Sequence, residues 1–258
     1  MAATRLGGFM KIRLSRNKVF CPTLYKCRLL SDDRLQHLSK HHFWKSKYQQ
    51  EVLSFDWFLS KENLSQFVKH VLQQYQDKII SAQHSVKAVE NTLNLLGQFH
   101  ILDLGCGSSA LPECFYQWEH YPVTVQCLDY IYEAVQFQMH SMKLIRPGNK
   151  NSQVHGVCAN ACCLPYRSDI FHLITEKGTM DSLLKDTRTG QEKARQMFRE
   201  VYRVLQNGGV FMQISDEDPD SRLFFLEDLS GFPCRWTVLD LAVDYEMNNN
   251  CFVYSFQK

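Results

Sequence analysis

The feature that most constrains this chain is the run Ile101-Leu102-Asp103-Leu104-Gly105-Cys106-Gly107-Ser108-Ser109-Ala110. An apolar stretch ends in two glycines one residue apart. A helix-compatible segment, 109–118, follows at once, with Pro112 tolerated in its first turn. A residue without a Cβ is needed where the backbone adopts positive φ or must pass close to a ligand. A strand that turns on such residues into a helix is the opening unit of an open α/β sheet. Sheets of that kind bind ligands at the carboxyl ends of their strands.

The segments that follow repeat the unit. Apolar runs at 100–104, 123–128, 154–159, 171–175 and 210–214 read as strands. Segment 132–144, stopped by Pro147-Gly148, reads as a helix. So does 191–205, with Ala194, Met197, Phe198, Val201, Tyr202 and Leu205 on one face and Asn207-Gly208-Gly209 as its C-cap. Segments 236–243 and 251–256 flank an Asn-rich turn, which is a hairpin signal. The expected fold is α/β: a Rossmann-like, seven-stranded sheet, mostly parallel, with an antiparallel C-terminal hairpin and helices on both faces. Upstream lie the aromatics Trp44, Tyr48, Phe55, Trp57 and Phe58, then an amphipathic helix carrying Leu64, Phe67, Val68, Val71, Leu72 and Tyr75. A second, more polar helix is expected at 86–96.

Residues 1–30 differ from the rest. They contain no Asp or Glu, while Arg5, Lys11, Arg13, Arg16, Lys18, Lys26 and Arg28 alternate with apolar residues. That is the composition of a mitochondrial transit peptide, the alternative being a basic tail. The domain reading is therefore 1–30 transit peptide, 31–98 helical and aromatic lid segment, and 99–258 catalytic core. A net charge of +2 makes no demand for nucleic acid, and no apolar run is long enough to cross a bilayer. Cysteines such as Cys106, Cys114, Cys127, Cys234 and Cys251 follow no framework spacing and read as buried thiols of a reducing compartment. Cys158, Cys162 and Cys163 lack a CxxC partner pair, so no metal is expected.

The turn has a chemistry to match. Asp129 lies 22 residues beyond Gly107, at the end of the second strand, where a carboxylate can accept both hydroxyls of a ribose. Asn160 follows the third strand and can read an adenine edge. Gly105-x-Gly107-x-x-Ala110 also fits the dinucleotide fingerprint. Two features favour S-adenosylmethionine over a nicotinamide cofactor. Asp103 is a polar group within the strand that could reach the amino-acid portion of that ligand, and a hairpin stands where a second mononucleotide half would be.

The loop at Leu102–Ser109 resembles motif I of the seven-β-strand methyltransferases. Glu176-Lys177-Gly178-Thr179-Met180-Asp181 resembles a D/E-K-G-T-x-D segment found in one branch of that class, which includes protein-lysine methyltransferases acting on a translation elongation factor and on citrate synthase. Phe55-Asp56-Trp57-Phe58 and Trp44-x3-Tyr48 resemble aromatic elements preceding its first helix. Ser215-Asp216-Glu217-Asp218-Pro219-Asp220-Ser221-Arg222-Leu223, with Trp236-Thr237-Val238, is similar to the citrate synthase group.

The resemblance implies a monomeric, mitochondrial-matrix methyltransferase that uses S-adenosylmethionine and modifies a lysine of citrate synthase. Trp44, Tyr48 and Trp57 would close over the cofactor, with Gly105 and Gly107 under its methionine portion. Asp129 would hold the ribose, Tyr130 would pack beside the adenine, and Asn160 and Ala161 would line the adenine pocket. Glu176 and Lys177 would sit beside the sulfonium. Glu176, Asp181, Asp216 and Asp218 would attract and orient the substrate ammonium. Because a free lysine has a pKa of about 10.4, such a site must also favour the neutral amine. A small-molecule methyltransferase and a catalytically silent binding module remain as alternatives on the same fold.

Overall fold

A computed structural model describes residues 10–13, 33–50, 56–81, 98–230, 234–241 and 251–258. Five parallel strands form the body of the sheet: β2 (Phe99–Leu104), β3 (Val123–Asp129), β4 (Gln153–Cys158), β5 (Phe171–Lys177) and β6 (Leu205–Ser215). The antiparallel pair β7 (Thr237–Leu241) and β8 (Cys251–Gln257) completes the expected seven. An eighth strand, β1 (Met10–Arg13), pairs antiparallel with β7, giving the order β1-β7-β8-β6-β5-β2-β3-β4. That strand lies inside the segment read above as a leader, and composition carries no signal for it.

Alternation along the strands sorts side chains into two layers. Ile101, Val125, Cys127, Leu173 and Ile214 pack with helices α2 (Lys61–Ser81) and α3 (Leu111–Tyr116). Leu102, Leu104, Leu128, Ile174 and Phe211 pack against α6 (Gly190–Val204) and α7 (Pro219–Ser230). Helix α1 (His41–Gln49), preceded by a 3-10 helix Asp33–Ser39, lies against α4 (Tyr132–Met142), where Trp44 packs on Ile131 and Ala134. A short helix α5 (Thr179–Leu184) follows β5. Among the described residues no helix is long and apolar enough to cross a membrane.

Three local expectations are corrected. Helix α6 ends at Val204, and Leu205 is already extended, with φ −70° and ψ 129°. Asn207-Gly208-Gly209 is therefore not its C-cap. Leu205 lies opposite Phe171 and Val210 opposite Leu173, so residues 206–209 bulge out between them, with Gly208 at φ +80°. The acidic stretch 216–220 contains a helix start: Pro219 is the first residue of α7, and the Asp218 carboxylate accepts the Asp220 N–H at 2.9 Å. Finally, Cys158 and Cys163 are exposed and only part of the cysteine set is buried. The helix expected at 86–96, Phe55, the Asn-rich turn and most of 1–30 lie outside the described residues.

Candidate functional site

The carboxyl ends of β2, β3 and β5 and the start of α4 border a cavity of about 310 Å³, roofed by α1 and α5. Its floor is the glycine turn. Gly105 and Cys106 both donate to the Leu128 carbonyl, at 2.7 and 3.0 Å, which pins the turn to the end of β3. Gly105 has φ +67°, and a Cβ there would fall 2.0 Å from Thr179 Oγ1. Gly107 has φ +49°, and a Cβ there would fall 2.5 Å from Tyr48 Oη. Both positions thus require glycine twice over, for backbone conformation and for space.

Asp129 stands on the next wall. Its two oxygens accept the N–H groups of Gly107 (3.1 Å) and Ile131 (2.9 Å). Burial pushes its carboxyl up to about 6, against the pull of those backbone donors. Tyr130, Asn160 and Ala161 continue the wall. Tyr130 is 41% exposed and meets the His41 ring edge-on. Asn160 Oδ1 accepts the Cys162 N–H at 2.9 Å, which closes the turn after β4.

The aromatic wall is a packed cluster. Trp44 stacks on Tyr48 at 6.4 Å and tilts against Trp57 at 6.1 Å. Trp44 Nε1 donates to the Leu38 carbonyl (2.6 Å), which also accepts from Ser182 Oγ (2.5 Å), so one backbone oxygen ties the N-terminal segment to α5. Burial and the neighbouring Asp129 hold the Tyr48 phenol well above its usual range, and its hydroxyl bonds with Ser108 of the turn.

Ten of the sequence-predicted residues therefore meet in one cavity: Trp44, Tyr48, Trp57, Gly105, Gly107, Asp129, Tyr130, Asn160, Ala161 and Lys177. Asp103 does not line it. Its side chain is buried beneath the turn, accepts from Thr175 Oγ1 at 2.8 Å, and is pushed up by burial to about 7. The four expected substrate acids lie outside the cavity too.

The reason is strand alternation. Residues 173, 175 and 177 face the α2–α3 layer, whereas 174 and 176 face the α6–α7 layer. Glu176 and Lys177 are consecutive and cannot flank one ligand atom from the same side. Glu176 is fully buried instead, accepting the N–H groups of Thr179 (2.9 Å) and Met180 (3.2 Å) and the Gln213 amide. It caps α5, and burial raises its carboxyl to about 7. Asp181 pairs with buried Arg222, and both bond Ser215 Oγ. Asp218 caps α7, as described. Asp216 and Asp218 are both exposed; with Asp218 engaged at the start of α7, Asp216 is the acid left open, just past the carboxyl end of β6 and beside β5.

Lys177 lines the cavity but is not free. Its ammonium pairs with Asp56 and donates to the Trp57 carbonyl at 3.3 Å. Thus each residue of the Glu176–Asp181 motif fixes local architecture. Gly178, at φ +77°, lets the chain turn beneath Phe58, and Thr179 Oγ1 reaches the Leu104 carbonyl at 2.8 Å.

Sequence reasoning missed Ser39, Thr179, Ser182, Leu183, Lys193 and Gln196, which also line the cavity. The spacing of 179, 182 and 183 is one face of a helix and was the available signal. Ser39 carries none.

The comparisons agree with this geometry. Residues 102–213 match the family model of a methyltransferase domain. Over 209 residues the chain is 32% identical to a Danio rerio protein named mitochondrial citrate synthase-lysine N-methyltransferase, covering 77% of this chain and 75% of that one. The Homo sapiens protein of the same name is 31% identical over 198 residues, covering 72% and 71%. In fold, the chain superposes on the methyltransferase domain of bacterial CtHen1 with a TM-score of 0.50 at 10% identity, covering 67% of this chain and 96% of that domain. The chain belongs to the methyltransferase family that contains the citrate synthase-lysine N-methyltransferases.

Proposed function

We propose that this chain is an S-adenosylmethionine-dependent protein-lysine N-methyltransferase of the mitochondrial matrix, that it acts as a monomer, and that citrate synthase is its substrate. The observation that carries the reading is the convergence of the Gly105–Gly107 turn, Asp129 and the Trp44–Tyr48–Trp57 wall on one cavity. The names of the relatives supply the substrate. The fit is supported by the two glycines, since a Cβ at Gly105 would run into Thr179 and one at Gly107 into Tyr48, both residues of the cavity wall.

S-adenosylmethionine, when bound, supplies an electrophilic methyl on a sulfonium. The residues of the chain then bind and position. The turn amides and Gly105 and Gly107 give close backbone approach, and Asp129 offers its remaining lone pairs to ribose hydroxyls. Tyr130, Asn160 and Ala161 border the base. Trp44, Tyr48 and Trp57 exclude water, which strengthens positioning at near-attack distance, the main source of rate in a displacement by an amine. Asp216, exposed at the end of β6, attracts the incoming ammonium. Glu176, Asp181 and Asp218 act at one remove, by fixing α5 and α7.

The test is to incubate the purified full chain with methyl-labelled S-adenosylmethionine and a mitochondrial matrix extract. One labelled protein, identified by mass spectrometry as citrate synthase and lost with Asp129→Ala, is the expected result. Label confined to small molecules would replace the substrate assignment. Absence of label with cofactor binding intact would refute the enzyme reading.

A further inference from the structure

We propose that Asp56 is the counter-ion that allows this cavity to accept a positively charged ligand, by neutralising the buried ammonium of Lys177. The inference rests on the reading of the cavity as an S-adenosylmethionine site. Lys177 ends β5 with a side chain only 4% exposed, and it lines the cavity. A lysine buried to that degree requires a partner. Asp56 provides it through one carboxylate oxygen, and the other oxygen accepts the Ala110 N–H at 3.1 Å, at the start of α3 just past the glycine turn. The carboxylate is therefore fixed from two sides, by the strand end and by the segment that carries the turn.

The remaining charges cannot substitute for it. Lys193, the other lysine on the cavity wall, is half exposed and has its own partner, Asp186, at 3.3 Å. Asp129 also lines the cavity, but its oxygens accept the Gly107 and Ile131 N–H groups and it makes no ion pair with Lys177. Asp103 lies behind the turn, bonded to Thr175. Without Asp56 the cavity would present an unbalanced buried cation to a sulfonium. Screened at an effective dielectric of about 20, one unit charge about 8 Å away changes a binding constant roughly 30-fold.

This predicts a discrimination that a merely structural clasp would not produce. S-adenosylhomocysteine matches S-adenosylmethionine in shape but has a neutral thioether in place of the sulfonium. Dissociation constants of both ligands would be measured by titration calorimetry on the full chain and on Asp56→Asn, Lys177→Met and the double variant. Asp56→Asn is expected to weaken S-adenosylmethionine roughly 10- to 50-fold and S-adenosylhomocysteine no more than about threefold. The double variant is expected to restore the wild-type ratio.

Equal weakening of both ligands by Asp56→Asn, or a double variant that keeps the skewed ratio, would overturn the inference. If Asp56→Asn does not fold, Lys177→Met decides alone: removing the cation while keeping Asp56 should raise the preference for S-adenosylmethionine at least fivefold, and an unchanged preference overturns the proposal. A wild-type chain that binds neither ligand refutes the cofactor reading itself, a result distinct from either of these.

Discussion

Replacing Gly105 by alanine loads two separate penalties on one atom. The first is conformational: φ is +67°, and an L-residue in the left-handed region costs about 1–2 kcal/mol. The second is spatial. The new Cβ would sit 2.0 Å from Thr179 Oγ1, so that hydroxyl must swing away from the Leu104 carbonyl it now meets at 2.8 Å. Leaving a buried carbonyl unpaired costs about 1–3 kcal/mol. Together these give a destabilisation of about 3–4 kcal/mol for Gly105→Ala. Thr179→Ala alone forfeits only the hydrogen bond. The double variant forfeits that bond once and removes the clash, so it should be no less stable than Gly105→Ala. The cycle should therefore show a favourable coupling of about 1–3 kcal/mol. Urea unfolding followed by tryptophan fluorescence measures all four corners. Additivity within about 0.5 kcal/mol would refute the argument, because Thr179 would then not be what the Cβ meets.

Arg222→Met leaves the partly buried Asp181 without its cation and should lower stability by about 2–3 kcal/mol, less than for a fully buried pair, with Arg222→Met/Asp181→Leu recovering much of the loss in thermal melts. Asp103 gives a pH signature. Its folded pKa of about 7 lies above the unfolded value of 3.8, so the folded state holds a proton that the unfolded state has released. Stability contributed here is full below about pH 4, declines as pH rises to about 7, and is constant beyond; Asp103→Asn should flatten that decline by a few kcal/mol in pH-dependent urea titrations. Tyr48→Phe removes the hydroxyl that bonds Ser108 and should raise the dissociation constant for S-adenosylmethionine about 3- to 10-fold, with little change in Tm.

The body of the sheet was legible because each strand is an apolar run bounded by a turn: β2 to β5 begin and end within two residues of where the pattern places them, and only β6 starts earlier, at Leu205 instead of Val210. Glycine spacing located the floor of the cavity for the same reason, since backbone conformation is a local property. Contacts between distant segments were not legible. The adjacency of Glu176 and Lys177 suggested a shared task, but alternation sends one to cap α5 and the other to Asp56, 121 residues away. Asp218, expected to orient the substrate ammonium, is a helix cap, because an acid followed by Pro is read equally well as a turn or as a helix start. Ser182 is held by the Leu38 carbonyl and Ser39 by the Gln36 carbonyl, backbone groups on which sequence is silent.

Strand β8 follows β7 in the chain yet lies between β7 and β6 in the sheet. Synthesis and assembly therefore run in different orders. While β8 is absent, β6 presents an open edge of unpaired N–H and C=O groups, and β7 has only the four-residue β1 to pair with and no link to the rest of the sheet. Strand β1, the first of the described strands to be made, joins the sheet only through β7. Closing such long loops before any contact rewards them slows folding. This half of the sheet is accordingly where a chaperone would have most to protect, and where a nascent chain would most readily pair with the wrong neighbour.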